Sequence, residues 1–441
     1  PDEPVECLDE VRMFVDNASS VRLGFVRAIL LVHQHHDVAC EHVGSAGPFD
    51  PLLQHTLRHR EVVTTRVQPR QPRRDLGRRK QTDPARVDMS AEKLNQAVAI
   101  FEEAIATDNL RNVILLVARD GKTVLHEAIG WRNKEIRLPM EPDNLLRMAS
   151  NTKAAVATGI LILAEEKKLD LDDSIGLHLP AFDNDKCRAI TLRHLLSHTS
   201  GLRIKTLFIE PLMKPSDDHP DAPTLKLEIN RFAAIGPEFR PGTTYSYSNA
   251  GFNTLGAVIE VISGQLLDEF LSERIYQPLG MKDTSHRPPA DQVNRMATVY
   301  QREEGEWSVR FKQGTEMRVP FVRASGGMVS TATDYSRFAH MYLGNGKLGR
   351  TRILTRASVR EATSHQSLGA YSQQQQSRRT SFYGLGWVTG SDGAFWHTGS
   401  EGTYVWVDPG RRLVGMVLTQ SPGGTYLRSE FREMVNAACK R

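Results

Sequence analysis

Ser150 and Lys153 stand three residues apart in Ser-Asn-Thr-Lys, a spacing that puts both on one face of a helix with Cβ atoms roughly 5–6 Å apart. A primary amine one turn from a hydroxyl can take its proton, so Ser150 can become a nucleophile without a histidine. Residues 154–164, which follow, are apolar nearly all round, the pattern of a helix buried on every side. Burial strips an amine of its hydration and lowers its pKa toward the range of a base. At a helix start, free backbone N–H groups and the positive end of the macrodipole would also stabilise negative charge near Ser150. The chemistry this pair predicts is acyl transfer.

A chain of this size holds on the order of one such pair by chance, and a second occurs at Ser90 and Lys93. Ser90 precedes the amphipathic run Ala-Glu-Lys-Leu-Asn-Gln-Ala-Val-Ala-Ile-Phe, where a serine is an ordinary helix N-cap. The same cap reading is open to Ser150 taken alone. Two downstream segments separate the cases: Tyr247-Ser248-Asn249 after a Pro-Gly pair, and His397-Thr398-Gly399-Ser400 after Trp396. The order S-x-x-K, Y-x-N and a K-T-G-like triplet resembles the penicillin-recognising serine hydrolases, specifically the class C β-lactamases and their relatives. Residues 169–173, 192–202 and 324–334 fit the same branch, so the resemblance runs from about Met89 to near the C-terminus.

Physical roles stand beside the resemblance. A phenol has a pKa near ~10 in water, and a lysine cation beside Tyr247 would lower it, which suits a proton shuttle to the leaving group and from the hydrolytic water. Asn249 has a donor and an acceptor, so it can hold Lys153 on one side and a substrate carbonyl on the other; the plainer alternative is a turn with an exposed tyrosine. The resemblance implies an oxyanion hole made by the backbone N–H groups of Ser150 and Ser400, the largest electrostatic contribution in most acyl transfers. His397 and Thr398 stand where class C β-lactamases carry a lysine and a threonine that attract the substrate carboxylate. A histidine is mostly neutral at pH 7 and would be a weaker, pH-dependent anchor; a half-buried strand histidine bonded to backbone is the other reading. Gly399 is expected to let substrate approach an edge strand closely.

These features predict a serine hydrolase that works through a covalent acyl-enzyme on a small ester or amide. The change at His397 favours a carboxylesterase similar to the family VIII enzymes over a dedicated β-lactamase, although that family often carries a tryptophan-glycine variant there. A β-lactamase, a D-Ala-D-Ala carboxypeptidase or a D-aminopeptidase is the nearest alternative, and a non-catalytic peptidoglycan- or ligand-binding module is one from another class.

Other chemistries lack support. The chain contains no G-x-S-x-G nucleophile elbow. The histidines and Cys40 of residues 33–42 fit no usual zinc spacing, and His194 and His198 belong more naturally to a helix end, so neither metal nor cofactor is expected. A net charge of +4 over 441 residues is small, and much of it sits in a proline-broken basic stretch at residues 66–86, which reads as a solvated linker rather than a nucleic-acid surface. Residues 28–32 are too short an apolar patch for a membrane span and lie late for a signal peptide. A cytoplasmic location is the default expectation, with a periplasmic one open, and the residue pattern sets no oligomeric state. Four cysteines show no paired spacing.

The elements that must position these residues are legible in outline. Residues 112–118 and 122–128 flank Arg-Asp-Gly, and residues 402–407 and 413–418 flank Asp-Pro-Gly-Arg-Arg, two hairpin signals at opposite ends of the chain. They predict an α+β fold: an antiparallel sheet flanked by helices, formed by residues 89–150 and 320–441, with a mostly helical domain at 151–319 inserted. Residues 1–88 differ in character and are expected to be an N-terminal extension. The catalytic groups would meet between sheet and helical region, where small-molecule sites prefer to form.

Overall fold

The computed structural model describes residues 81–440, apart from residues 205–206, 208–211, 213, 218–219, 221 and 315–320. Most of the expected extension, including the histidine cluster and the apolar patch, lies outside the described residues. Residues 81–88, assigned to that extension by sequence character, pack on the sheet. The Thr82 N–H donates to the Thr123 carbonyl at 2.8 Å, Arg119 Nη1 donates to the Asp88 carbonyl at 2.7 Å, and Val87 is buried.

The sheet has eight strands: β1 (Asn112–Arg119), β2 (Lys122–Asn133), β3 (Leu138–Pro139), β4 (Ser381–Tyr383), β5 (Val388–Gly390), β6 (Phe395–Thr398), β7 (Thr403–Asp408) and β8 (Leu413–Leu418). Their order is β4-β5-β6-β7-β8-β1-β2-β3, and every described neighbour is antiparallel. Both expected hairpins are present. In the first, Asp120 and Gly121 take φ of 52° and 71°, the two left-handed residues that a tight turn matching strand twist requires. Within the sheet β1 and β8, far apart in sequence, pair from Ile114–Leu418 to Arg119–Leu413.

Alternation divides the sheet into two faces. Val113, Leu115, Val117, Trp406 and Val417 pack outward with Leu94 and Phe101 of α1 (Ala91–Ala106) and with Phe431 and Val435 of the C-terminal helix Arg428–Ala438. Ile114, Leu116, Val405, Val407 and Met416 pack inward against α2 (Thr152–Glu165), α3 (Leu192–Leu196), α4 (Leu225–Ile235), α5 (Asn249–Ser263) and α6 (Ala332–Leu343). The inner cluster runs without a break from sheet to helical region. The two regions expected from sequence are therefore layers over one core, and the described residues fall in one compact unit.

α2 is the axis of that core. Every residue from Thr152 to Leu163 is buried, and each fully buried Val, Ile or Leu contributes about 1.5–3 kcal/mol. Ser90, the competing serine, is the N-cap of α1: its Oγ accepts from the Lys93 N–H at 3.3 Å, while Lys93 Nζ donates to the Ala437 carbonyl at 2.9 Å. Among the described residues no single helix is long and apolar enough to cross a membrane.

Candidate active site

The nucleophile turn forms before α2 begins. Leu146–Arg147 pairs antiparallel with Val329–Ser330, and the chain then passes through Ala149 at a φ of 46°, a left-handed conformation that a Cβ disfavours. Neighbours from three elements hold it there. Thr152 Oγ1 donates to the Ala149 carbonyl at 2.6 Å, Thr403 Oγ1 and Asn151 Nδ2 donate to the Met148 carbonyl at 3.2 Å, and Tyr335 donates to the Asn151 carbonyl at 2.9 Å. A strained residue persists where its surroundings over-determine it, and such places cluster at active sites. Ser150 sits in this short 3-10 turn, Ala149–Asn151, immediately ahead of α2.

Lys153 is fully buried, and its Nζ has three oxygen partners: Ser150 Oγ at 3.1 Å, Asn249 Oδ1 at 2.8 Å and the Ser325 carbonyl at 2.8 Å. The same nitrogen lies 4.5 Å from the centroid of the Tyr247 ring and 5.6 Å from that of Phe252, close enough for attraction between a cation and the rings. The structure thus brings Ser150, Lys153, Tyr247 and Asn249 together. Asn249 is the first residue of α5, whose N-cap Ser248 accepts from the Gly251 N–H at 2.9 Å. The helix start fixes the Asn249 amide, which points its oxygen at the lysine.

The third segment comes from β6. β5 covers only its first half, through Thr389–Phe395 and Val388–Trp396, whereas His397 and Thr398 pair with β7 alone. Among the described residues no strand pairs with their other edge. His397 is not placed as the expected carboxylate anchor would be. It is 2% exposed, its Nδ1 donates to the Thr398 carbonyl at 2.7 Å, and its Nε2 accepts from the Tyr383 hydroxyl at 2.8 Å. Burial, then the charge of Lys153, pushes its pKa down to about 3 against the backbone bond, which raises it. Both ring nitrogens are occupied, one by backbone and one by the Tyr383 side chain, and burial favours the neutral ring; the histidine is fully rather than half buried.

Two further expectations are corrected. Thr398 pairs with Tyr404, which belongs to the outer-face cluster; paired residues share a face, so the Thr398 side chain points away from Ser150. It lines a cavity of about 530 Å³ with Trp396, Tyr404 and Arg432, and its carbonyl accepts from His397 Nδ1. The missing side chain of Gly399 makes room for protein, not substrate. A Cβ there would overlap Thr403 Oγ1 and lie 2.7 Å from the Met148 carbonyl and 3.0 Å from Ala149 Cβ. Gly399 therefore lets the strand end approach the nucleophile turn. Ser400 Oγ donates to Glu401 Oε2 at 2.7 Å, and among the described residues no acceptor takes the Ser400 backbone N–H.

Three contributors were not picked out from the sequence. The Ser325 carbonyl lies in the 324–334 segment, where order alone carried a signal and the side chain does none of the chemistry. Tyr383 lies on β4 with no motif to mark it. His198 lies in the 192–202 segment, just beyond α3, with its ring centroid 4.2 Å from that of Tyr247.

Buried neutral histidines give the fold a pH dependence. Burial and then Lys153 depress His198 well below its usual value, and burial depresses His286 to about 4. Below pH ~6.5 the unfolded chain binds protons that folded His198, His286 and His397 do not, so stability falls as pH falls. Each contributes up to about 1.4 kcal/mol per pH unit until its folded pKa is reached. Urea unfolding between pH 8 and pH 4 is expected to show a midpoint steady above pH 7 that declines below pH 6. A midpoint that rises over the acidic interval would contradict the neutral burial of these rings.

The β-lactamase family profile matches residues 97–438. The chain belongs to the β-lactamase family. Esterase EstB of Burkholderia gladioli is 33% identical over 250 residues, which cover 54% of this chain and 62% of EstB. The uncharacterised protein MT1414 of Mycobacterium tuberculosis is 30% identical over 279 residues, covering 59% of this chain and 69% of that protein. Among solved structures, EstCE1, a hydrolase with promiscuous acyltransferase activity, superposes with a TM-score of 0.65 at 22% identity, over 79% of this chain and 98% of its own. D-amino acid amidase from Ochrobactrum anthropi SV3 gives a TM-score of 0.60 at 25% identity, over 78% of this chain and 98% of its own. The fold they share with this β-lactamase-family chain is the large antiparallel sheet with its flanking helices.

Proposed function

We propose that the protein is a serine hydrolase that acts through a covalent acyl-enzyme, and that its substrates are small carboxylic esters. The observation that carries the reading is the buried Lys153 Nζ, bonded to both Ser150 Oγ and Asn249 Oδ1 with the Tyr247 ring against it. Ser150 Oγ attacks the ester carbonyl, and its proton crosses the 3.1 Å contact to Lys153 Nζ in the molecules where that amine is neutral, the form that burial favours. As the ammonium forms, the Asn249 and Ser325 oxygens already stand at 2.8 Å to receive its other N–H bonds. Acceptors placed in advance lower the barrier without reorganisation. The Ser150 and Ser400 N–H groups take up the oxyanion. Tyr247 passes the proton to the departing alkoxide, the ester C–O bond breaks, and water releases the acid by the reverse route.

An ester is favoured over a β-lactam by the state of His397. A β-lactam brings a carboxylate to the strand end, where a neutral, fully bonded ring offers no cation. Likeness to EstB supports the ester reading, and likeness to the D-amino acid amidase supports amides as the second class. Short-chain p-nitrophenyl esters are expected to exceed a chromogenic cephalosporin by at least about tenfold in kcat/KM, the effect of one missing ionic partner. A cephalosporin or a D-amino acid amide turned over faster than every ester would overturn the choice of substrate class.

A further inference from the structure

His198 is fully buried and carries no role in the steps above. It follows the short helix α3 at a φ of 59°, in the left-handed region. From there one residue pins both neighbours of Tyr247. The His198 carbonyl accepts from the Ser246 N–H at 2.9 Å, and its ring Nδ1 accepts from the Ser248 N–H at 3.1 Å. Its ring also packs on the Tyr247 ring at 4.2 Å, and on those of Tyr383 at 4.4 Å and Phe252 at 5.0 Å. Ser248 Oγ extends the clamp by donating to the Leu202 carbonyl at 2.5 Å.

We propose that His198 is the positioning residue for Tyr247, fixing the backbone on both sides of the phenol and one face of its ring, so that the phenol stays against Lys153 Nζ. The tautomer follows from the geometry. Nδ1 accepts, so the ring proton is on Nε2, which is buried and finds no hydrogen-bond partner among the described residues. A proton on Nδ1 would face the Ser248 N–H and break the clamp. Burial, followed by the charge of Lys153, disfavours that proton. His198 is therefore a fixed acceptor, not an acid or base in the reaction.

Three variants separate acceptor from ring. His198→Phe keeps a ring and removes the acceptor. His198→Asn removes the ring but offers Oδ1 to the Ser248 N–H and tolerates a left-handed φ. His198→Ala removes both. With p-nitrophenyl butyrate, kcat is expected to fall about 10–100-fold in His198→Phe and His198→Ala while KM stays within about threefold, the signature of a displaced reacting group. His198→Asn should recover at least about tenfold over His198→Ala. Wild-type kcat in His198→Phe overturns the proposal. So does an Asn variant no better than the Ala variant when both keep the wild-type near-UV circular dichroism. The Asn and Ala variants share the lost ring, so their ratio decides the matter even if the Phe variant fails to fold. The proposal rests on Ser150 as nucleophile. Fluorophosphonate labelling that persists in Ser150→Ala would remove that foundation, whereas unlabelled Ser150→Ala with unchanged rates in the His198 variants removes the positioning role alone.

Discussion

Ser150→Ala is expected to lose fluorophosphonate labelling and to lower kcat for p-nitrophenyl esters by about 10⁴–10⁶-fold, the range for removing a covalent nucleophile. Lys153→Met should come close to the same loss. Its Nζ is bonded to Ser150 Oγ at 3.1 Å, and an unbranched apolar chain of similar length fills the buried space without accepting a proton. Lys153→Met leaves Asn249 Oδ1 and the Ser325 carbonyl without their common donor, so some loss of stability accompanies the loss of rate. Residues that work as a unit are not additive. The double variant is therefore expected to be no slower than Ser150→Ala, within about threefold. Active-site labelling and steady-state kinetics on the three proteins check this. A Ser150→Ala protein that keeps more than about one per cent of wild-type kcat would mean that another residue carries the acyl group.

Gly399→Ala is the second large effect, and it reaches the chemistry through packing. The new Cβ would overlap Thr403 Oγ1 and press on the Met148 carbonyl at 2.7 Å and Ala149 Cβ at 3.0 Å. Thr403 Oγ1 cannot step aside cheaply, because it donates to the Met148 carbonyl and accepts from Asn151 Nδ2 at 2.9 Å. The strand end must then move away from the turn that holds Ser150. Overpacking of this kind costs about 1–3 kcal/mol. Displacing one oxyanion donor, the Ser400 N–H, costs about 10²–10³-fold in kcat. Both losses are expected together, read by urea unfolding and by ester kinetics. Gly369→Ala is the control: nothing lies within 4 Å of a Cβ there and its φ is not left-handed, so stability and rate should stay near wild type. Unchanged kcat in Gly399→Ala would show that the approach of β6 to the nucleophile turn is not needed for the reaction.

Much of the framework can be read along the chain because it rests on local rules. The Asp120-Gly121 turn, the two hairpins of β1 with β2 and of β7 with β8, the apolar run of α2 and the cap at Ser90 each depend on neighbours a few residues away. Order also did what a single motif could not. Ser90 and Ser150 carry the same S-x-x-K spacing, and only the later Tyr247 and His397 segments told them apart; in the structure Lys93 turns to the Ala437 carbonyl, whereas Lys153 turns to Ser150.

The roles of the strand-end residues were not legible, for a common reason. Whether Gly399 faces a ligand or a backbone depends on Met148 and Ala149, some 250 positions earlier in the chain. Whether His397 is a charged anchor or a neutral strut depends on Tyr383, on burial and on the charge of Lys153. Which way Thr398 points depends on its register with Tyr404.

The sequence by itself determined the residue types that acyl transfer needs, their order and the helix that buries the lysine, because periodicity and spacing act over one or two turns. Only the tertiary structure decided how those groups are held: the third acceptor on Lys153 from the Ser325 carbonyl, the His198 clamp around Tyr247 and the neutrality of His397. Charge state and clamp geometry are properties of what surrounds a side chain, and in this fold those surroundings come from segments far apart along the chain.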